Sequence, residues 1–151
     1  GHNIDPELIE EALNAHSNVV ISIAIGLPDP YAGELPMAYV VKVAHSNVTE
    51  QELINHCASV MSERAAIPKR IEFIDAMPLT AVGKIFRPTL RQNIAEQVIC
   101  ELLAEKSMDG TVTSEIEKKR GLVLRIDVPD KAKVGEVKKL VEGYIFTSEV
   151  I

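Results

Sequence analysis

No apolar run in this chain of 151 residues reaches membrane-spanning length. The most apolar stretch, residues 18–27, is about half of what a membrane helix needs, and no cationic lead with a small-residue cleavage site precedes it. Neither a membrane span nor a signal peptide is expected. Cysteine is scarce: Cys57 and Cys100 are the only two. Their spacing is of neither the metal-binding nor the redox type, which points to a reducing compartment, the cytoplasm, and to duty as small hydrophobes. Positive charge is in deficit, with 16 Lys and Arg against 22 Asp and Glu for a formal net charge of −6. That balance argues against general nucleic-acid binding, which needs a basic face to neutralise phosphates. No GxGxxG, Walker-type loop, GxSxG or HExxH occurs, which removes the commonest nucleotide-loop, serine-hydrolase and zinc-protease chemistries. His2, His16 and His45 have no partner at helical spacing, and His56 and Cys57, adjacent on a predicted helix, point about 100° apart. Neither a metal site nor a Cys-His nucleophilic pair is expected.

What is present is the make-up of a soluble globular protein: 46% hydrophobic residues, 25% charged residues and a mean hydropathy of +0.09. The length suits one domain, or one domain with a small appendage, that buries roughly 70% of its unfolded surface. It rules out a large two-domain enzyme. Charge is spread unevenly. Residues 1–63 hold nine acids and one base, Lys42, whereas residues 64–91 hold six bases, Arg64, Lys69, Arg70, Lys84, Arg87 and Arg91, against Glu72 and Asp75. If it is not simply a solvated face, that second stretch would draw anionic small molecules.

Asp5-Pro6-Glu7 ahead of Leu8, Ile9, Ala12 and Leu13 reads as a capped helix start, with the helix running over 5–16. Residues 18–27 are rich in β-branched side chains and close on Gly26-Leu27-Pro28-Asp29-Pro30, a buried strand followed by a loop through Gly33. A second strand lies within 35–44. Thr49 with Glu52 forms a capping box for a helix over 49–65, and Pro68 stops any continuation. Arg70 to Ala76 reads as a short strand, Pro78 to Lys84 as a turn-rich loop, and Leu90, Ile94, Val98 and Leu102 mark a helix from Arg87 to about Lys106. The composition then changes: residues 108–151 carry eight acids and eight bases, so the first 107 hold the whole net charge. Thr111 to Lys118 and Leu122 to Val128 alternate around Lys119-Arg120-Gly121 as a hairpin, and Val134, Val137, Leu140, Val141, Tyr144 and Ile145 form a helical stripe. The expectation is an α+β fold: a small β-sheet packed by helices over 1–107, and a β-β-α extension over 108–151 whose apolar face needs covering. The pentapeptide AHSNV occurs at 15–19 and 44–48 but joins different element types, so it marks no repeat.

One segment carries a possible chemistry, Pro78-Leu79-Thr80-Ala81-Val82-Gly83-Lys84. Proline and glycine shape an exposed turn, Gly83 lets backbone approach a ligand, and Lys84 presents a compact cation suited to a carboxylate or phosphate. By chemistry alone, a lysine after a loop glycine is usually surface decoration.

The longer string PLTAVGKIFRPTLR resembles the C-terminal signature of the adenylate-forming superfamily, which includes acyl-CoA synthetases, peptide-synthetase adenylation domains and luciferases. The opening GHNIDPELIEEAL is similar to that family's segment just after its interdomain hinge, of the form G-x-x-I-x-P-x-x-I-E. Between them Pro28-Asp29, Gly33-Glu34, Ala38-Tyr39-Val40 and Lys69 fall in the family's order, and the wording GHNIDP leans toward acyl-CoA synthetases acting on fatty acids. Leu8 departs from a common glutamate, and Asn3 from a phosphate-contacting arginine of some members. The resemblance covers residues 1–107 and leaves 108–151 unassigned.

The resemblance implies a mobile lid on a larger N-terminal adenylation domain, whose phosphate loop and adenine-binding segment are absent here. The chain alone is therefore expected to be inactive and to bind no cofactor by itself. Lys84 matches the lysine that bridges the substrate carboxylate and the nucleotide during adenylation, with Thr80 and Gly83 in its loop. Gly1 matches a glycine lining the channel for the pantetheine thiol, and Arg64, Lys69 and Arg70 are further candidates for the CoA channel. Mg-ATP, CoA and a carboxylic acid are the implied ligands, and acetylation of Lys84, a modification seen on matching lysines, would remove its charge. Three readings stand: the lid of an acid-CoA ligase, the lid of a ligase that loads an acyl carrier protein, and an independent interaction module that keeps the lid fold.

Overall fold

Asp5 opens the first helix as its position suggests: its carboxylate accepts the Glu7 N–H at 2.9 Å, Pro6 takes the first turn, and α1 runs Pro6–Asn14. The computed structural model describes residues 5–151, so the candidate channel glycine Gly1 and the departure at Asn3 lie outside the described residues. By contacts the chain forms two compact units, one reaching Leu27 and resuming over Leu35–Arg87, the other made of Pro28–Glu34 and Pro88–Ile151.

In the first unit β1 (Val19–Asp29) and β2 (Gly33–Lys42) are neighbours, and β3 (Arg70–Phe73) lies on the other side of β2. β3 is parallel to β2, Met37 beside Arg70 and Val40 beside Phe73. A parallel neighbour needs a crossover, and α2 (Glu50–Val60) provides it. Thr49 caps α2 by accepting the Glu52 N–H at 3.1 Å. The helix ends at Val60, short of the expected 65, because Met61 turns extended and a separate 3-10 turn, Arg64–Ala66, with buried Ala66 and Pro68 leads into β3. The unit's core is Ile9 and Leu13 of α1, Ala38 and Val40 of β2, Leu53 and Cys57 of α2, and Ile71 of β3. Alternation along β2 and the helical stripes of α1 and α2 thus meet on one face of the sheet.

The second unit begins with the turn between β1 and β2, where the Asp29 carboxylate accepts the N–H groups of Tyr31 and Ala32 at 3.0 and 2.8 Å. Its main part is α3 (Arg87–Glu105, of which Arg87 counts with the first unit), β4 (Thr111–Glu117), β5 (Gly121–Asp127), α4 (Val134–Val141) and β6 (Thr147–Val150). β4 and β5 pair antiparallel with Ser114 opposite Leu124, and Gly121 leaves the turn at φ +69°, a conformation that favours glycine. β6 joins the other edge of β5 in parallel, Val123 beside Thr147 and Ile126 beside Val150. The expected β-β-α order is present, and β6 adds a strand that closes it. The helix is shorter than the stripe to Ile145 suggested. It stops at Val141, and Gly143 lies where a Cβ would come 3.2 Å from the Pro30 side chain, so the chain there is held close to the Pro30 turn. Tyr144 then stacks on Phe146, ring centroids 5.3 Å apart, as the chain turns into β6. Leu124, Ile126 and Val128 are buried with Ala95, Ile99 and Leu103 of α3, Val137 and Val141 of α4, and Val150 of β6. The opposite face of this sheet carries an ion network: Arg120 pairs with Glu117 at 2.6 Å and Glu149 at 2.7 Å, and Arg125 with Glu115 at 2.8 Å and Glu149 at 3.1 Å. Each unit therefore threads helix, strand, strand, helix, strand in the same order. Among the described residues no helix is long and apolar enough to cross a membrane.

Candidate functional site

The lysine loop is a closed hairpin. Leu79 and Ile85 form an antiparallel bridge, the Thr80 N–H donates to the Lys84 carbonyl at 2.7 Å, and the Phe86 N–H donates to the Pro78 carbonyl at 2.8 Å. Inside that base the Gly83 N–H donates to the Thr80 carbonyl at 2.9 Å, and the Thr80 hydroxyl accepts the Lys84 N–H at 3.1 Å. Gly83 has φ +82° with open space where a Cβ would be, so its glycine identity serves the backbone turn rather than close packing. Thr80, Gly83 and Lys84, separate candidates in the sequence, are thus brought together by three hydrogen bonds. Lys84 is exposed, and among the described residues no carboxylate pairs with its ammonium. Leu79, Val82 and Phe86 around it are exposed as well. A fixed backbone carrying an unpaired cation amid apolar side chains can meet an anion once another surface covers it and removes water.

The loop's C-terminal end is anchored by residues that sequence reasoning did not select. The Arg87 guanidinium donates to the Ala24 carbonyl at 3.0 Å and to Glu10 Oε2 at 3.3 Å, while the same Glu10 oxygen accepts the Ala24 N–H at 2.9 Å. β1 is an edge strand, so an arginine and a glutamate satisfy both peptide groups of Ala24 where a further strand would otherwise bond. The only signal in the sequence was indirect: Glu10 is the final residue of the G-x-x-I-x-P-x-x-I-E form, and Arg87 sits in FRPTLR.

Of the CoA-channel candidates, Arg64 is exposed in its 3-10 turn and Lys69 is exposed with its N–H donating to the Pro36 carbonyl at 2.8 Å. Arg70 opens β3 and its Nε donates to Glu72 at 2.6 Å. Gly1 lies outside the described residues. His16 and His56, far apart in sequence, meet edge to face with ring centroids 4.9 Å apart. Each has a ring nitrogen engaged, His16 Nδ1 accepting the Asn18 N–H at 3.0 Å and His56 Nε2 lying 2.8 Å from the Ala12 carbonyl. Among the described residues no group of three or more His, Cys, Asp or Glu could hold a metal ion. Cys57 is buried, and burial pushes its thiol up to about 11, far from the thiolate a nucleophile needs.

The profile of the AMP-binding enzyme C-terminal domain matches residues 8–84, just over half of the chain and ending on Lys84. The chain belongs to that family. Among curated members of the wider enzymes, the marinolic acid–CoA ligase of Pseudoalteromonas sp. (strain SANK 73390) is 40% identical over 117 residues, covering 78% of this chain and 18% of the relative. A long-chain-fatty-acid–CoA ligase of Haemophilus influenzae is 41% identical over 91 residues, covering 60% of this chain and 16% of the relative. In solved structures, the Brucella canis acyl-CoA synthetase matches with a TM-score of 0.59 at 33% identity, over 65% of this chain and 18% of that one. The Mycobacterium tuberculosis fatty acyl CoA synthetase matches with a TM-score of 0.58 at 33% identity, over 63% and 19% of the two chains. This AMP-binding C-terminal domain thus spans about a fifth of the length of the proteins it resembles. A match of 117 residues cannot fit within residues 1–107, so the likeness to the marinolic acid–CoA ligase runs beyond the family domain into the β4 hairpin.

Proposed function

We propose that this domain is the mobile lid of an acid-CoA ligase, which activates a carboxylic acid, a fatty acid by the wording of its opening segment, with Mg-ATP as an acyl-adenylate and passes it to CoA. The observation that carries this reading is Lys84: an exposed ammonium with no carboxylate partner among the described residues, on a hydrogen-bonded hairpin, standing where the family match ends. As a carboxylate attacks the α-phosphate and pyrophosphate leaves, negative charge gathers between the two reactants. An ammonium delivered there on a rigid loop offsets that charge without having to reorganise. Thr80 and Gly83 hold the loop's shape and Lys84 supplies the charge. After the lid rotates, Gly1 with Arg64, Lys69 and Arg70 would border the path of the CoA thiol. The partner is the N-terminal adenylation domain of the same enzyme, and the cytoplasm is the setting that two unbridged cysteines favour.

Two single-turnover assays on the intact enzyme test the reading. Lys84→Ala should slow acyl-adenylate formation by at least roughly 10²-fold, or about 2.7 kcal/mol, the scale for removing one preorganised stabiliser. Conversion of supplied acyl-adenylate with CoA should stay within about a factor of ten, because the rotated lid has carried Lys84 away from the nucleotide. Lys84→Arg should be nearly as poor as alanine, since a planar fork does not replace a single ammonium. An unaffected first step would return Lys84 to surface decoration.

A further inference from the structure

We infer that Arg87 and Glu10 form a positioning clip for the lysine loop, setting where Lys84 points without touching the reactants; this rests on the role proposed for Lys84. The loop from Leu79 to Phe86 is exposed except for partly covered Thr80 and Ile85. Its internal hydrogen bonds fix its shape but not its direction. Direction comes from the two stems. On the incoming side Met77 is buried, and the Ile74 N–H bonds the Val40 carbonyl at 3.0 Å, tying that stem to β2. On the outgoing side the first anchored side chain is Arg87, three residues after Lys84, and it is fixed to β1 and α1 rather than to its own loop.

The geometry resembles a clamp more than an isolated surface ion pair. One guanidinium spans a backbone carbonyl and a carboxylate, and that carboxylate also holds the N–H of the same residue, Ala24. Glu10 is well shielded at 17% exposure and Arg87 less so at 37%. Three bonds closing on the two peptide groups of Ala24, two of them made by Arg87, leave its guanidinium little freedom to swing. A lysine there could reach one acceptor but not both in a fixed plane. Because transition-state contacts fall off steeply with displacement, a loop loosened at one stem should lose much of the charge stabilisation even with Lys84 intact.

The test uses the intact enzyme and the two half-reactions. Arg87→Ala should slow acyl-adenylate formation by about ten- to a hundredfold while leaving transfer from supplied acyl-adenylate to CoA nearly unchanged. Glu10→Ala should follow it, and Arg87→Lys should fall between Arg87→Ala and the parent. The deciding measurement is the double variant Arg87→Ala with Lys84→Ala, expected to be no slower in adenylation than Lys84→Ala alone, because a clip has nothing to position once the lysine is gone. Should Arg87→Ala fail to fold, Arg87→Lys with and without Lys84→Ala carries the same comparison. Equal losses in both half-reactions, or multiplicative losses in the double variant, would make the pair a stability element and overturn the inference. Full adenylation by Arg87→Ala alongside a crippled Lys84→Ala would overturn it as well. Full adenylation by Lys84→Ala would overturn the underlying reading instead.

Discussion

Leu124 is the side chain on which the second unit's packing can best be weighed. It lies midway along β5, fully buried, among residues from α3, α4 and β6. Truncation to alanine removes three carbons, worth about 2.4 kcal/mol at roughly 0.8 kcal/mol per buried methylene. The cavity left behind adds to this, because strands paired on both sides cannot collapse into it, and the total comes to about 3–5 kcal/mol. A unit of this size is held by only about 4–10 kcal/mol, so the loss is a large share of its stability. Ile116 on β4 serves as control: it shares a face with Leu124 but is 49% exposed, and its truncation should cost less than about 1.5 kcal/mol. Urea unfolding of both variants gives the two differences, and hydrogen exchange locates them, with the amides of β5 and β6 losing protection in Leu124→Ala. A Leu124→Ala loss no larger than that of Ile116→Ala would refute the core assignment.

A chromogenic disulfide reagent should titrate Cys100 in the folded protein, more slowly than a free thiol because burial, Glu96 and Glu101 raise its pKa, and should reach buried Cys57 only on unfolding. Two equally fast thiols would contradict the burial of Cys57 on α2. Stability should fall as pH rises from about 9 to about 12: burial lifts Cys57 from 9.0 to about 11, and burial, then Glu72, lifts Tyr39 from 10.0 to about 12. The unfolded chain releases those protons first, so stability is full below the unfolded values and is lost through the folded ones. Urea midpoints across that range measure it, and Cys57→Ala should remove the part of the slope between 9 and 11.

What could be read from the sequence was what is local. Asp5-Pro6 and Thr49 declare helix starts because capping acts over two or three residues, and β4 and β5 declare themselves by alternation around a glycine turn. The lysine loop was legible for the same reason, since every bond that shapes it joins residues within eight positions. β6 was not. Thr147-Ser148-Glu149-Val150 has no apolar alternation strong enough to announce a strand, and it is extended because β5 offers a free edge. The Glu10–Arg87 clip was hidden by distance: each residue alone reads as an ordinary surface charge, and only the fold brings them to one residue, Ala24. The ends of α2 and α4 were misjudged because apolar spacing ran on past the point where the backbone has to turn back to its sheet.

The repeated thread of helix, strand, strand, helix, strand has a consequence in time. In both sheets the middle strand first meets a neighbour supplied by a short connection, and gains its second neighbour only after a helix has crossed over. Contacts between residues close in the chain form early, and those closing a long loop form late. β2 and β5 should therefore each pass through a stage with one edge bare, and the last event in both halves is the docking of a four-residue strand. Short closing strands give little to hold on to alone. The helix that precedes each, α2 or α4, has to be seated first, which makes the packing of Leu53 and Val137 a condition for completing the two sheets.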